Sequence, residues 1–169
     1  MSRETERERL RQGLPRERAG VAGHASVASA PGPGGIIVFD GVCVLCGGWV
    51  RFLLRHDKAG RYRFAAMQGR AGADLLTAQG LDPKDPVSFL LVEDAQADQP
   101  RRAWTDSDAV LRVLTGLGGL WRLLAPLRLL PRALRDPAYR CIARHRYRLF
   151  GRRDRCPLPD PAQAHRFLP

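Results

Sequence analysis

Hydrophobic and polar positions along the chain predict a series of short strands and helices that begins near residue 36. Residues 36–39 form an unbroken apolar run rich in β-branched side chains, which is typical of a strand buried on both faces. From about 43 to 56, apolar residues recur at helical spacing and predict a helix. A strand that runs directly into a helix is the start of a βαβ unit.

The pattern continues through residue 116. Residues 62–66 alternate as in a half-buried strand, and 71–79 predict a helix that Gly80 ends. An apolar run at 87–92 and a returning strand at 101–105 indicate a hairpin, and a capped helix follows. The order βαβαββα over the 81 residues from 36 to 116 predicts an α/β, thioredoxin-like core.

Two further helices are predicted beyond this core, at 117–130 and 133–150, with Pro131 between them. An apolar stripe in the first helix and apolar or aromatic residues in both predict that they pack on the sheet. These residues are Leu120, Trp121, Leu124, Leu127, Tyr139, Ile142, Tyr147 and Phe150. The alternative is an amphipathic surface for an anionic membrane or an acidic partner.

The segments on either side of 36–157 have the composition of tails. Residues 1–18 alternate charges, and 19–35 consist largely of small residues, Gly and Pro, as in a flexible linker. The chain shows no signal peptide and no apolar stretch of the roughly 20 residues needed to span a membrane. We therefore expect a disordered tail over 1–35, one domain over 36–157 including the C-terminal helices, a tail over 158–169, and a cytoplasmic location.

A net charge of +11 on 169 residues first suggests a nucleic-acid partner. The distribution of the charge argues against it. Residues 36–116 hold ten basic and ten acidic residues, whereas 117–169 hold twelve arginines and three aspartates. The positive charge therefore belongs to the predicted C-terminal helices, and because no motif that binds nucleic acid accompanies it, no such partner is expected.

The most informative motif places two cysteines, Cys43 and Cys46, at the junction of the first strand and helix. The N–H groups and the dipole at a helix N-terminus favour negative charge, so we expect Cys43 to be exposed and to form a thiolate readily. Cys46, one turn later, is expected to face the core. An exposed thiolate that attacks and a shielded thiol that resolves are what two-step thiol–disulfide exchange requires.

Other interpretations of the pair remain open. Both cysteines could be small core hydrophobes, or they could form half of a zinc site with Cys141 and Cys156, or with Cys141 and His145. Zinc is disfavoured because structural sites usually supply a second tight pair, and Cys141 and Cys156 are 15 residues apart. Cys141, beside Ile142 in a predicted helix, is expected to be buried, and Cys156 is either a third redox thiol or inert.

Asp40, three residues before Cys43, has a structural and a chemical interpretation. It can accept backbone N–H bonds at the helix start, as an N-cap does. Alternatively, its carboxylate exchanges a proton with Cys46 during resolution, provided that burial raises its pKa enough to make it a useful base.

These residues resemble the thiol-disulfide oxidoreductase DCC family, named for an Asp, Cys, Cys pattern that here matches Asp40, Cys43 and Cys46. The resemblance spans about 36–157, through IIVFDGVCVLCGGWVRFLLRHD, RYRFAAMQ, the Ser-Asp-Ala at 107–109 and RHRYRLFG. It implies a thioredoxin-like fold and reduction or exchange of protein disulfides. Between the cysteines stand Val44 and Leu45, where thioredoxins carry Gly-Pro and glutaredoxins Pro-Tyr, so the redox potential cannot be inferred by analogy.

The thioredoxin-like interpretation adds two candidate binding sites. Pro86 precedes the third strand, where such proteins place a cis-proline that faces the cysteine pair; the alternative is an ordinary loop proline. Ser107 and Asp108 begin a helix after the fourth strand, where glutaredoxin-type folds hold the glutathione carboxylate on backbone N–H groups. A plain helix cap explains Ser107 and Asp108 equally well.

Together these observations predict a protein-disulfide reductase or exchange enzyme in which Cys43 attacks, Cys46 resolves, and Asp40 orients the pair or relays a proton. The expected substrates are protein or small-molecule disulfides and thiols, glutathione among them, and no cofactor is required. The alternative is a non-catalytic module that binds zinc through its cysteines, or a partner or membrane surface through its basic helices.

Overall fold

The computed structural model describes residues 34–83, 89–95, 101–154 and 161–169. In these residues the strands are β1 (Gly35–Phe39), β2 (Tyr62–Ala66), β3 (Leu90–Glu93), β4 (Arg102–Thr105) and β5 (Phe167–Leu168). The α-helices are α1 (Val44–His56), α2 (Arg70–Ala78), α3 (Asp106–Gly116) and α4 (Arg132–Phe150). Two 3₁₀ helices span Gly119–Leu129 and Pro161–Arg166.

The strands form one mixed sheet in the order β4-β3-β1-β2-β5. β1 pairs in parallel with β2 and antiparallel with β3, which pairs antiparallel with β4. The predicted fold class is confirmed, since the element order and the sheet are those of a thioredoxin-like core with an arginine-rich helical C-terminal extension. Of the strand predicted at 87–92, residues 87 and 88 lie outside the described residues.

β1 lies in the middle of the sheet, and all five of its residues are buried. Because successive side chains of a strand point to opposite faces, Ile37 and Phe39 pack with α1 and α3, whereas Val38 packs on the α2 side with Leu76. This two-sided burial explains the unbroken apolar run in the sequence. Burial on both faces also holds the C-terminal end of β1 in place, and the chain enters α1 from that end.

Residues 158–169 were predicted as a tail outside the domain, but of the described part, 161–169, Phe167–Leu168 form a strand of the same sheet. β5 pairs in parallel with β2, and the Phe167 ring lies 5.3 Å from that of Phe64. Arg166 is buried, and its guanidinium donates to the carboxylate of Asp57 and, at 2.7 Å, to the carbonyl oxygen of Tyr62. A two-residue strand is too short for a periodic pattern, which is why the sequence interpretation missed it.

The predicted helix at 117–130 is the 3₁₀ helix Gly119–Leu129, and its predicted packing is only partly correct. Trp121 packs against Phe52 and His56 of α1, with ring centroids 5.2 and 5.8 Å apart. Leu120 and Leu127, from the same predicted stripe, are exposed. With three residues per turn, Leu120 lies on a different face from Trp121 and Leu124, whereas Leu127 shares their face and is exposed near the end of the helix.

Two residues of α4 that were expected in the core, Ile142 and Phe150, are exposed as well. The helix instead buries Ala143 and Arg146, so its packed face is rotated relative to the predicted one. Within the described residues, no helix is long and apolar enough to cross a membrane.

Candidate active site

The cysteine pair lies where β1 gives way to α1. Cys43 is the N-cap of α1, with extended backbone angles of φ −80° and ψ 125°. Its sulfur accepts a hydrogen bond from the backbone N–H of Cys46 at 3.3 Å. A side-chain oxygen usually occupies this position, and here a sulfur receives the same N–H and the same helix dipole. Cys43 therefore occupies the place of an N-cap acceptor at the start of the helix.

The exposure of the two cysteines is the reverse of the prediction. Cys43 is only 1% exposed, whereas Cys46 is half-buried, and both are free thiols. The cause is the chain just after α4, which runs beside the motif. The N–H of Arg153 donates to the carbonyl oxygen of Val42 at 2.8 Å. The N–H of Val44 donates to the carbonyl oxygen of Gly151 at 3.4 Å. We call this segment, residues 151–153, the cover strand.

The environment of Cys46 keeps its thiol protonated. Burial raises the pKa of Cys46 far above its usual range, and the hydrogen bond and the electrostatic interaction with Cys43 raise it further. Arg146 acts in the opposite direction, but its effect is smaller. Cys46 therefore has the properties of the second thiol in a two-step exchange.

Asp40 is buried directly behind the cysteine motif. One carboxylate oxygen accepts hydrogen bonds from the N–H of Val42 at 3.1 Å and from the side chain of Gln68 at 2.8 Å. The other accepts from the Arg146 guanidinium at 3.2 Å and from the Tyr147 hydroxyl. Burial by itself would raise the pKa of Asp40, but these four hydrogen bonds together lower it below its usual value.

The carboxylate of Asp40 is thus held ionised and fully bonded. The condition for a proton relay was a pKa raised by burial, and this condition is not met. The structural interpretation fits the geometry better, because Asp40 binds the N–H of Val42 and joins the motif to α4.

Sequence reasoning did not single out the residues that hold Asp40. Gln68, Arg146 and Tyr147 come from two distant parts of the chain, and Tyr147 had been expected in the core. The late RHRYRLFG motif contained a signal, since it includes both Arg146 and Tyr147. The helix α4 contains several arginines, and their spacing does not distinguish one from another. The sequence alone therefore could not show which of them is buried.

A pocket of about 110 Å³ opens beside Cys46. Asp40, Cys46 and Arg146 contribute to its wall, and the other lining residues are apolar or aromatic: Phe39, Leu45, Met67, Phe89, Tyr139, Ile142 and Ala143. The Tyr139 hydroxyl accepts a hydrogen bond from the N–H of Phe89 at 2.9 Å and so joins α4 to the chain entering β3. The pocket can accept a small apolar side chain next to the cysteine pair.

Ser107 and Asp108, the predicted glutathione-binding residues, face α4 and do not line this pocket. Arg135 donates to the Ser107 hydroxyl at 2.7 Å, and Asp108 forms ion pairs with Arg132 and Arg135. Burial would raise the pKa of Asp108, but the hydrogen bonds and charges of these two arginines lower it. Pro86, the predicted cis-proline, lies outside the described residues.

Of the other two cysteines, the structure describes Cys141, a free thiol on α4. Cys141 is exposed, contrary to the prediction, because α4 packs through Ala143 and Arg146 on another face. Its carbonyl oxygen lies 2.9 Å from Nδ1 of His145. In the described ranges, three or more potential metal ligands are nowhere grouped together. Cys156 lies outside those ranges.

Comparisons with known proteins agree with this geometry. A model of the DCC1-like thiol-disulfide oxidoreductase family matches residues 37–152. The uncharacterized protein YuxK of Bacillus subtilis is 38% identical over 137 residues, which cover 81% of this chain and 96% of that protein. A chloroplastic DCC family protein of Arabidopsis thaliana is 40% identical over 124 residues, covering 73% of this chain and 69% of that protein. No solved structure matches the chain.

Proposed function

This chain belongs to the DCC1-like thiol-disulfide oxidoreductase family, and on that premise we propose that it reduces or exchanges protein disulfides through Cys43 and Cys46. The observation that carries the proposal is the Cys43 sulfur at the N-cap of α1, where it accepts the N–H of Cys46. The N–H groups and the dipole of a helix N-terminus favour an attacking sulfur in this position, and a second thiol lies one helical turn away.

The proposed reaction has two steps. The Cys43 thiolate attacks one sulfur of the substrate disulfide, so that a mixed disulfide forms and the other substrate sulfur leaves as a thiolate. The Cys46 sulfur then attacks the Cys43 sulfur and releases the second substrate thiol. The substrate gains two electrons from the dithiol, one proton from Cys46 and one from solvent, and the enzyme is left with a Cys43–Cys46 disulfide that an external thiol must reduce.

Cys46 must lose its proton before it can attack, although its pKa is raised. The substrate thiolate released in the first step forms beside the cysteine pair just before Cys46 attacks, and it can accept this proton. Asp40 is already ionised and bonded on both oxygens, so we assign it a positioning role.

Attack by Cys43 also requires access. Since only 1% of Cys43 is exposed, the cover strand must move aside before a protein disulfide can reach the sulfur. We further propose that the enzyme works as a reductant in a reducing compartment such as the cytoplasm, where dithiols are kept reduced. Its potential, measured against a glutathione redox buffer, would test this direction.

The test is the reduction of insulin by dithiothreitol with the full chain. We expect Cys43→Ser to lose catalysis and Cys46→Ser to accumulate a mixed disulfide with the substrate. Cys141→Ser is the matched control, because Cys141 is an exposed thiol outside the site, and it should retain full activity. Catalysis that survives in both Cys43→Ser and Cys46→Ser would overturn the proposal.

A further inference from the structure

The 3₁₀ helix Gly119–Leu129 has three chemically distinct faces, because residues three apart share a face in such a helix. One face, with Trp121 and Leu124, is half-buried, and Trp121 packs on α1. A second face is apolar and open to solvent: Leu120, Leu123 and Leu129 are 79%, 71% and 87% exposed. The third consists of Arg122, Ala125 and Arg128, all exposed.

Leu130, which follows the 3₁₀ helix, and Leu134, in the first turn of α4, extend this set of exposed leucines. Single exposed leucines are common on protein surfaces, but a contiguous group bordered by charge marks an interaction site. We call this surface the leucine face. Its exposed members are Leu120, Leu123, Leu129, Leu130 and Leu134.

An arginine-rich pocket of about 480 Å³ adjoins the leucine face. Four arginines line it, Arg112, Arg128, Arg132 and Arg135, and Leu129 belongs both to this pocket and to the leucine face. Arg112 stacks on Trp104, with its guanidinium carbon 3.3 Å from the ring centroid.

The arginines of the pocket are only partly neutralised. Arg132 and Arg135 share Asp108, and Arg112 is paired with Glu93 at 3.4 Å. Arg128 has no hydrogen bond or ion pair in the part of the chain that the structure describes. Burial, together with the charge of Arg128, lowers the pKa of Arg112. The Nε atom of Arg112 is buried and has no hydrogen-bond partner within the described residues.

We propose that the leucine face and the arginine pocket together dock on an anionic phospholipid bilayer. The leucines would enter the boundary between headgroups and acyl chains, as the apolar face of an interfacial helix does. The guanidinium groups would bind lipid phosphate, for which the planar arginine fork is well suited.

Charge complementarity favours this occupant over a second copy of the chain. Residues 117–135 contain four arginines and no acidic residue, so two copies facing each other would bring like charges together. A nucleic acid would pair with the arginines but would leave the leucines in water. An anionic bilayer offers phosphate groups to the arginines and, directly beneath them, the start of the acyl chains to the leucines.

Docking in this way leaves the cysteine site free. Trp121 of the 3₁₀ helix contacts His56, the last residue of α1, whereas Cys43 caps the other end of α1. Thirteen helical residues separate the two ends by about 20 Å. The surface proposal is therefore independent of the proposed reaction.

The test is co-sedimentation of the full chain with vesicles of phosphatidylcholine alone or mixed equally with phosphatidylglycerol. We expect binding to the anionic vesicles that weakens as salt is added. Replacing Leu123 and Leu129 together by Gln should weaken binding at least about tenfold. Arg128→Gln should weaken it about fivefold on anionic vesicles only.

Leu149→Gln and Arg144→Gln serve as matched controls, since both residues are exposed and lie outside the leucine face and the pocket; both variants should bind as the parent does. If inorganic phosphate displaces the vesicles fully while the leucine variants bind normally, the pocket serves a soluble anion and the proposal is overturned. It is also overturned if vesicles do not bind, or if analytical ultracentrifugation shows a dimer that the leucine variants abolish.

Discussion

Asp40 joins three parts of the chain through its two carboxylate oxygens. The N–H of Val42 belongs to the motif, Gln68 follows β2, and Arg146 and Tyr147 belong to α4. Desolvation of a single carboxylate is costly, and it is offset here because all of these groups donate to it. The same bonds fix the backbone that leads into Cys43.

Tyr147→Phe tests this network at a single hydroxyl. Because hydrogen bonds to charged groups contribute about 1.5–3 kcal/mol, we expect a loss of that order in the free energy of unfolding at pH 7. The pKa of Asp40 is lowered in the folded protein, so its ionised carboxylate contributes fully to the free energy of unfolding above the ordinary pKa of 3.8. This contribution is lost as the pH falls below that value and through the lowered pKa. The difference between Tyr147→Phe and the parent, measured by urea unfolding, should therefore shrink in acid.

Tyr139→Phe provides the control for this experiment. It removes a hydroxyl that accepts the N–H of Phe89, a neutral hydrogen bond worth about 1 kcal/mol. Burial raises the pKa of Tyr139 to about 12, so the group does not titrate in acid. Its destabilisation should be the same at pH 7 and below 3.8, and an equally constant loss in Tyr147→Phe would contradict the charged network.

At the scale of elements, α4 does more than extend the fold. It contributes Arg146 and Tyr147 to Asp40, and Ala143 to the wall of the pocket beside Cys46. The chain leaving it then forms the cover strand over Cys43. Thus α4 completes the site, and the chain that follows α4 covers Cys43.

Gly151 is the C-cap of α4 and the first residue of the cover strand. Its backbone angles, φ +87° and ψ 172°, fall in a region that only glycine adopts readily, and another residue there is strained by about 1–3 kcal/mol. A Cβ at this position would make only ordinary contact, 3.9 Å from Val44. We therefore expect Gly151→Ala to loosen the cover strand and to speed alkylation of Cys43 by iodoacetamide.

The matched variant is Gly118→Ala. Gly118 has similar angles, φ +78° and ψ −167°, and open space around it, but it precedes the 3₁₀ helix and lies outside the site. The strain should be similar, whereas the alkylation rate of Cys43 should not change. Equal acceleration in both variants would indicate general loosening of the fold and would rule out a specific role for the cover strand.

Local patterns predicted the elements well, because the unbroken apolar run of β1 and the periodic apolar residues of α1 both require burial. They also placed Cys43 and Cys46 correctly at the strand–helix junction. They could not predict which cysteine is covered, because burial of Cys43 depends on Gly151–Arg153 pairing with a motif more than 100 residues away. A 3₁₀ helix in place of an α-helix likewise changed which face is exposed, without any change in hydrophobicity.

At the scale of the whole molecule, two buried ion pairs connect the C-terminal third to the core. Arg146 binds Asp40 across 106 positions, and Arg166 binds Asp57 across 109. The excess of arginine in the last third therefore has more than one use, since these two guanidinium groups are internal while Arg128 and Arg144 are exposed. Net charge showed where arginine is concentrated but not which arginines neutralise a buried acid.

The Arg166–Asp57 pair holds β5 and the C-terminal 3₁₀ helix on the sheet, and Arg166→Met removes it. The variant leaves Asp57 buried without its positive partner, and breaking a buried pair from one side typically costs about 3–5 kcal/mol. Urea unfolding should show a loss of this size, whereas Arg144→Met, at an exposed arginine, should change stability by no more than about 0.5 kcal/mol. A loss in Arg166→Met as small as in the control would mean that the C-terminal segment is not an integral part of the sheet. The pairing of β5 with β2 beside Phe64 predicts the larger value.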